Sequence, residues 1–254
     1  MKDVKIYPIV TGYCTCDEAT YLFMKGKAGK QVEIPMMCFY IEGLEKKVLI
    51  DTGVCDLERA NKYHHPMIRR DSLPVYEALA NLGVSTDEIE LIVFTHLHWD
   101  HCSNMGKFKN ATYVAHELEL KFAKDPLPPY YRSYESSVWG LTAPFIDKEI
   151  KTISADQAII PGLYAFHTPG HSPGHIAVSV EAESHTYILP GDAVFLRRNL
   201  EPNEEEQWRF WLPQRYVNVI DLWESMEKIA SKMESIDCVL PSHEMEILKN
   251  KYYF

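Results

Sequence analysis

The chain has no long apolar run: no stretch approaches the roughly 18 to 20 consecutive apolar residues of a membrane-spanning helix. The opening segment MKDVKIYPIVTGYC meets Pro8 and Gly12 before a leader-like apolar core can form. A cytoplasmic protein without a membrane partner is therefore expected. Basic charge is also short: 26 Lys and Arg stand against 36 Asp and Glu, a net charge of -10 that would repel nucleic acid and anionic membranes at long range. The basic pair Arg197-Arg198 reads as a solvated loop. Cysteines 14, 16, 38, 55, 102 and 238 lack zinc-ribbon spacing. Cys14-Thr15-Cys16 is only C-x-C, and all six read as free thiols in a reducing compartment. No internal repeat or low-complexity tract is present. No nucleophile elbow, G-x-x-x-x-G-K-[ST] loop or G-x-G-x-x-G loop supports a serine hydrolase or a nucleotide-binding protein.

What is present is an apolar content of 46% over 254 residues, enough for a substantial core. A single domain over residues 1–254 is expected. Short apolar runs alternate with helical patterns, which predicts α/β architecture with helices covering sheets. VKIYPIV, IPMMCFYIE, KKVLID, LIVFT and ATYVA read as strands, followed later by LYAFHT, HIAVSVE, HTYILP and DCVLP. PVYEALANLG reads as a helix with Pro74 in its first turn and Gly83 beyond its end. HELELKFA is a second helix, and Ser85 and Glu88 form a capping box. The segment 215–234 is a third helix, with Val217, Ile220, Trp223, Met226, Ala230 and Met233 predicted to form its buried face. Residues 124–145, rich in Pro and aromatics without a clean period, read as a cover over a pocket.

The chemistry concentrates at strand ends. THLHWDH, residues 95–101, puts three histidines and an aspartate directly after the run LIVF. His171 in TPGHSPGH, Asp192 in LPGDA and His243 in LPSHE each follow another inferred strand, so all would gather at one edge of the sheets. Neutral imidazole and carboxylate suit zinc or a similar divalent ion. His96 and His98, two apart on an extended segment, point to one position. The turn after them brings Asp100 and His101 to a second. His171 would complete the first metal, His243 the second, and Asp192 would bridge. Two ions about 3.5 to 4 Å apart can lower the pKa of a shared water towards about 7 and polarise a carbonyl, which permits hydrolysis without a protein nucleophile.

The collinear set THLHWDH, TPGHSPGH, PGDA and PSH, with LIDTG upstream, resembles the metallo-β-lactamase superfamily over essentially the whole chain. It is most similar there to the N-acyl homoserine lactonases. The resemblance implies a four-layer αβ/βα sandwich with two divalent metals, zinc expected, at one edge. It implies ligand roles for His96, His98, Asp100, His101, His171, Asp192 and His243, with Asp100 and Asp192 taking part in catalysis. Asp100 would hold the hydroxide and relay a proton. Asp51 would orient ligands, and His175 would be a neighbour rather than a ligand. The implied reaction is opening of a lactone ring by attack of bridging hydroxide on the carbonyl; the implied partner is a small lactone or ester, and a homodimer is compatible with it.

One departure concerns the substrate. Where the homoserine lactonases carry a tyrosine three residues after the bridging aspartate, this chain has Phe195, which offers no hydroxyl. The following segment RRNLEPNEEEQWRFWLP could turn its arginines and tryptophans towards a substrate, or be a plain surface loop. Thioester hydrolysis of the glyoxalase II type is the alternative activity, although only eleven residues follow His243 where that family usually adds a helical region. A secreted β-lactamase is disfavoured by Asp192 in place of the usual cysteine, RNA processing by the acidic charge, and a diiron role by His98 where those relatives usually have glutamate. A metal-binding sensor or interaction protein without catalysis is the reading from another class. His64, His65, His116, His167 and His185 read as ordinary hydrogen-bonded residues, with His64-His65 in a stretch, YHHPMIRRD, that could serve as a lid.

Overall fold

Alternation along the strand Leu91–Val93 shows why the run before the histidine motif is apolar throughout. Leu91 and Val93 face one core, whereas Ile92 and the following Phe94 face another. A strand buried on both faces needs an unbroken apolar run. In the computed structural model, which describes residues 3–54 and 56–254, this strand is β5. Cys55, expected to be a free thiol, lies outside the described residues.

Two sheets carry the fold. The larger contains β1 (Lys5–Asp17), β2 (Gln31–Glu42), β3 (Val48–Ile50), β4 (Met67–Ile68), β5, β6 (Thr112–His116) and β7 (Ile150–Ile153), in the order β4-β1-β2-β3-β5-β6-β7. Strands β3, β5, β6 and β7 run parallel, and β1, β2 and β4 add antiparallel pairings. The smaller, wholly antiparallel sheet has the order β11-β10-β9-β8, from β8 (Gln157–Ile160), β9 (Leu163–His167), β10 (Ile176–Glu181) and β11 (Thr186–Leu189).

Helices α1 (Leu57–Tyr63), α2 (Val75–Asn81), α3 (Trp99–Cys102) and α4 (Glu117–Lys124) lie in the connections of the larger sheet, and α5 (Val219–Lys232) follows the smaller one. Three apolar interfaces result. Phe39, Ile50 and Val93 meet Ile176, Val178 and Leu189 between the sheets. Val75, Leu79, Leu97 and Ala123 cover the outer face of the larger sheet. Leu222, Met226 and Ile229 cover Phe166, Ala177 and Ile188 on the outer face of the smaller. The layers therefore run helix, sheet, sheet, helix, as expected. No helix among the described residues is long and apolar enough to cross a membrane.

Several sequence expectations shift. The first strand runs on to Asp17 through Pro8, tolerated because β4 pairs only with Tyr13 and Cys14 and leaves β1 an edge at the proline. Strands β7 and β8 were not foreseen. The helix expected over 215–234 begins only at Val219, where the Asn218 side chain accepts from Ile220 N and Asp221 N. Its buried face is Leu222, Ser225, Met226 and Ile229, while Ile220 is 67% exposed. Of the expected face, Met226 is buried and Trp223, Ala230 and Met233 pack partly buried against the same core, so only Val217, which precedes the cap, and Ile220 depart from it. The expected strand DCVLP contributes only a short 3-10 turn and a single bridge from Val239 to Ile188. The Ser85–Glu88 box forms as expected, with the Glu88 carboxylate accepting from Ser85 N at 2.9 Å.

Candidate metal centre

Every predicted ligand leaves a strand end on the same edge. His96 and His98 extend from β5, and α3 turns Asp100 and His101 back towards them. His171 lies in the β9–β10 connection, Asp192 just beyond β11, and His243 after the Val239 bridge. The structure brings all seven together as two groups, His96 with His98 and His171, and Asp100 with His101, Asp192 and His243. Within each, one donor atom per residue lies within 4.8 Å of the others. Asp192 stands between them: Oδ1 is 3.2 Å from His101 Nε2 and 3.1 Å from His243 Nε2, while Oδ2 is 3.5 Å from His171 Nε2 and 3.9 Å from His96 Nε2.

The far nitrogens of these rings are tied down. His101 Nδ1 donates to Asp51 Oδ2 at 2.8 Å, His171 Nδ1 to the Arg215 carbonyl at 3.0 Å, and His243 Nδ1 to the Pro35 carbonyl at 2.9 Å. His96 Nδ1 meets Thr95 Oγ1 at 3.1 Å, and that hydroxyl donates to Asp51 Oδ2 at 2.8 Å. Such bonds fix the tautomer and turn each Nε2 lone pair inward. Asp51 thus orients two rings, as expected.

His175 is a neighbour, also as expected. Its Nδ1 meets the Thr168 carbonyl at 3.0 Å and its Nε2 accepts from Asp192 N at 3.0 Å. Gly191 has φ +53°, and a Cβ there would fall 2.5 Å from His175 Nε2, so this approach requires glycine.

Burial pushes His96 and His98 well below the ordinary imidazole range and lowers His171, keeping them neutral. Burial acts the same way on His101 and His243, but the carboxylates around them together outweigh it, Asp192 foremost, with Asp51 and Asp100 at His101 and Asp100 at His243, and both are raised. Burial would raise the Asp192 carboxyl; the His101 and His243 charges hold it well below its usual value. The Nε2 atoms of His96 and His101, which face Asp192, are buried without a hydrogen-bond partner among the described residues, and His98 turns its Nδ1 to 3.1 Å from His171 Nε2. Orphaned buried nitrogens beside a carboxylate are costly unless something fills the space between them. Imidazoles, carboxylates and a shared Asp192 fit two divalent metal ions.

A cleft of about 350 Å³ opens over these residues. Phe195 packs on its floor, and Cys14 and Cys16 stand in the wall. Burial pushes the Cys14 thiol up to about 12 and Cys16 up to about 11, so both stay protonated at neutral pH, consistent with unpaired thiols rather than metal-bound thiolates. Pro128, Pro129 and Trp139 from the expected cover also line it.

Arg197 and Arg198 do not reach the cleft, and neither is simply solvated. Arg197 donates to the Val239 and Asp237 carbonyls, and Arg198 lies over Trp211. Arg132 and Arg215 line the cleft instead. His64 and His65 belong to its wall as well, and β4 ties the end of their stretch to β1. His64 stacks on Trp99 at 4.1 Å and 4°, and pairs with Glu135.

Two further residues escaped the sequence. Glu119, wholly buried, accepts from Leu97 N at 2.9 Å, Tyr134 Oη at 2.9 Å and Ser172 Oγ at 2.5 Å, joining the histidine-bearing loops after β5 and β9. Its signal was an acid on the same helical face as Ala123. Ser172 sits in Gly170-His171-Ser172-Pro173-Gly174, which does carry the letters G-x-S-x-G. The segment joins two strands rather than a strand and a helix, and its hydroxyl is committed to Glu119, so it forms no nucleophile elbow.

The sequence pattern of the metallo-β-lactamase superfamily matches residues 35–239. An N-acyl homoserine lactonase of Bacillus thuringiensis is 28% identical over 207 residues, 78% of each chain. The N-acyl homoserine lactonase AttM of Azorhizobium caulinodans is 26% identical over 256 residues, covering 92% of this chain and 90% of its own. Among solved structures, an N-acyl homoserine lactone hydrolase with the product N-hexanoyl-L-homoserine bound at its catalytic metal centre superposes with a TM-score of 0.77 at 23% identity, over 98% of this chain and 96% of that one. The family match includes strands of both sheets and six of the seven clustered residues, and the chain belongs to the metallo-β-lactamase superfamily.

Proposed function

We propose that the protein is a dinuclear metal-dependent hydrolase that opens lactone rings. His96, His98 and His171 would hold one ion and Asp100, His101 and His243 the other, with Asp192 available to both. The observation that carries this is the division of the two Asp192 oxygens between the groups, Oδ1 towards His101 and His243 and Oδ2 towards His171 and His96. A donor set of imidazole and carboxylate favours zinc. The lactonase names of the relatives support the lactone as substrate class.

Bound divalent ions would supply Lewis acidity towards a carbonyl and an acidified water. The chain's own residues do the rest. Hydrolysis joins a water oxygen to the carbonyl carbon and breaks the bond from that carbon to the ring oxygen, leaving a hydroxy acid. Asp100, beside His101 and facing the cleft, takes the proton released by the water and returns it to the departing alkoxide. Asp51 and His175 hold their partners still so that little reorganisation is needed during reaction. Phe195 and Trp99 give the floor an apolar surface that limits water.

Metal analysis together with a substrate panel tests the proposal. About two divalent ions per chain and turnover of acyl homoserine lactones are expected. Asp192→Ala should lose both turnover and metal. Thioester turnover with no lactone turnover would reverse the ranking of substrates, and metal-free protein from chelator-free preparations would end the metal reading.

A further inference from the structure

The cleft carries two cations that the hydrolytic chemistry does not use. Arg132 places its guanidinium 4.7 Å from the Trp139 ring centroid, and Arg215 places its own 5.0 Å from that of Tyr21; all four residues line the cleft. Neither arginine has a carboxylate within ion-pair distance among the described residues, whereas Arg59, Arg70, Arg197 and Arg209 each have one. In a chain with ten more acidic than basic residues, two unpaired guanidiniums in one cleft are unexpected. An aromatic platform leaves the edge N–H groups free while restricting the plane, so less freedom is lost when an anion is bound.

The two charges converge. Burial holds His65 below the ordinary imidazole range against the opposing Asp100 carboxylate, with Arg215, His64 and Arg132 acting in the same direction as burial, and both arginines act on Tyr21. Arg215 is also fixed relative to the metal centre, because its carbonyl accepts from His171 Nδ1. A second cavity of about 210 Å³ adjoins the cleft, sharing His98, Pro129, Ser133, His171 and Arg215 with it. Arg215 therefore stands where the two spaces meet.

We propose that Arg132 and Arg215 form an anion-binding rim that selects substrates bearing a carboxylate or phosphate remote from the scissile carbonyl. The inference rests on the hydrolase reading for the word substrate, and on the rim itself for the anion. The carboxylate formed by hydrolysis does not explain the pair. That group arises on the buried floor, among His98, His171, Asp192 and His243, whereas both arginines are exposed at the mouth.

Acyl homoserine lactones matched in length, with acyl chains ending in methyl, carboxylate or phosphate, test it on the metal-loaded enzyme. The wild-type chain should favour one anionic member over the methyl member by about ten- to hundredfold in kcat/KM, chiefly through KM. Added salt should erode that ratio. Arg132→Gln with Arg215→Gln should bring it close to one, and Arg215→Lys should restore part. The better of carboxylate and phosphate identifies the anion. A wild-type ratio near one, or a ratio unchanged in the double variant, overturns the proposal.

Binding separates this failure from failure of the lactonase reading. Calorimetry with hexanoate and adipate needs no turnover, and adipate should bind at least about tenfold more tightly to the wild-type chain but not to the double variant. If no lactone is hydrolysed, that difference still supports the rim, and its absence removes it.

Discussion

Phe195 lies nearly parallel to the His243 imidazole, with ring centroids 5.1 Å apart at 22°, and meets His171 edge-on at 5.7 Å. It therefore touches a histidine from each group while offering neither group nor substrate a hydrogen bond. Phe195→Tyr should raise kcat/KM on acyl homoserine lactones by about tenfold, less than the hundredfold or more attributed to an optimised oxyanion donor. Steady-state kinetics with conservation of metal content checks this. Unchanged turnover would mean that a hydroxyl at this position cannot reach the carbonyl.

Glu119 joins the loop of His96 and His98 to the loop of His171 through Leu97 N and Ser172 Oγ. A Cβ on Gly174 would fall 1.9 Å from Glu119 N, which shows how closely the second loop packs on α4. Glu119→Ala strands several buried donors and should cost about 2 to 4 kcal/mol of stability. It should also weaken the His96–His98–His171 group more than the other, so dialysed protein retains about one ion per chain. Equal loss of both ions would contradict this local role.

Glu135 clamps the cleft wall to α1. Arg59 Nε and Nη2 donate to its two oxygens at 2.7 and 2.6 Å, and His64 Nε2 lies 3.1 Å from Oε1. Arg59 also donates to the Thr142 carbonyl at 3.1 Å, across the same segment. Glu135→Ala should destabilise by about 2 to 3 kcal/mol, below the value for a fully buried pair because Arg59 is partly exposed. Limited proteolysis should then cut first within residues 125–145. An unchanged cleavage pattern would show that the clamp is not what holds the wall.

His116 should make stability fall on the acid side. Burial and the stacked His167, 4.1 Å away, lower its pKa to about 4, and its Nδ1 accepts from Leu118 N at the start of α4. Between about 6.5 and about 4 the unfolded chain binds a proton that the folded chain does not, so this contribution is complete above the upper value and lost as pH falls to the lower. His116→Asn keeps a capping oxygen but does not titrate. Denaturant unfolding across that range should give a shallower pH slope for the variant than for the wild type, and equal slopes would discard the assignment.

Much of the centre was legible because strand ends and ligand letters coincide. LIVF before THLHWDH is a buried strand for a reason visible in its composition, and the turn chemistry of TPGHSPG and LPGDA marks where chains leave a sheet. Glu119, Arg132 and Arg215 were not legible. Each acts on partners supplied by other elements: Glu119 on Ser172, Arg132 on Trp139 within an aperiodic segment, and Arg215 on Tyr21. The α5 face was legible in part: Met226, Trp223, Ala230 and Met233 meet the core, whereas Val217 lies before the Asn218 cap and Ile220 turns to solvent.

By itself, the sequence determined the layered α/β architecture, the positions of the seven ligand-type residues and the missing hydroxyl at Phe195. Local propensity, apolar patterning and the chemistry of His and Asp suffice for the first two, and the third is legible only through the resemblance to the homoserine lactonases. Tertiary structure alone decided that Asp192 divides its oxygens between two groups, that the Pro35 carbonyl holds a histidine 208 positions away, and that the unpaired arginines of the cleft are Arg132 and Arg215 rather than Arg197 and Arg198. Sheet pairing brings distant strand ends to one edge, and hydrogen-bond and charge geometry exist only once those ends have met.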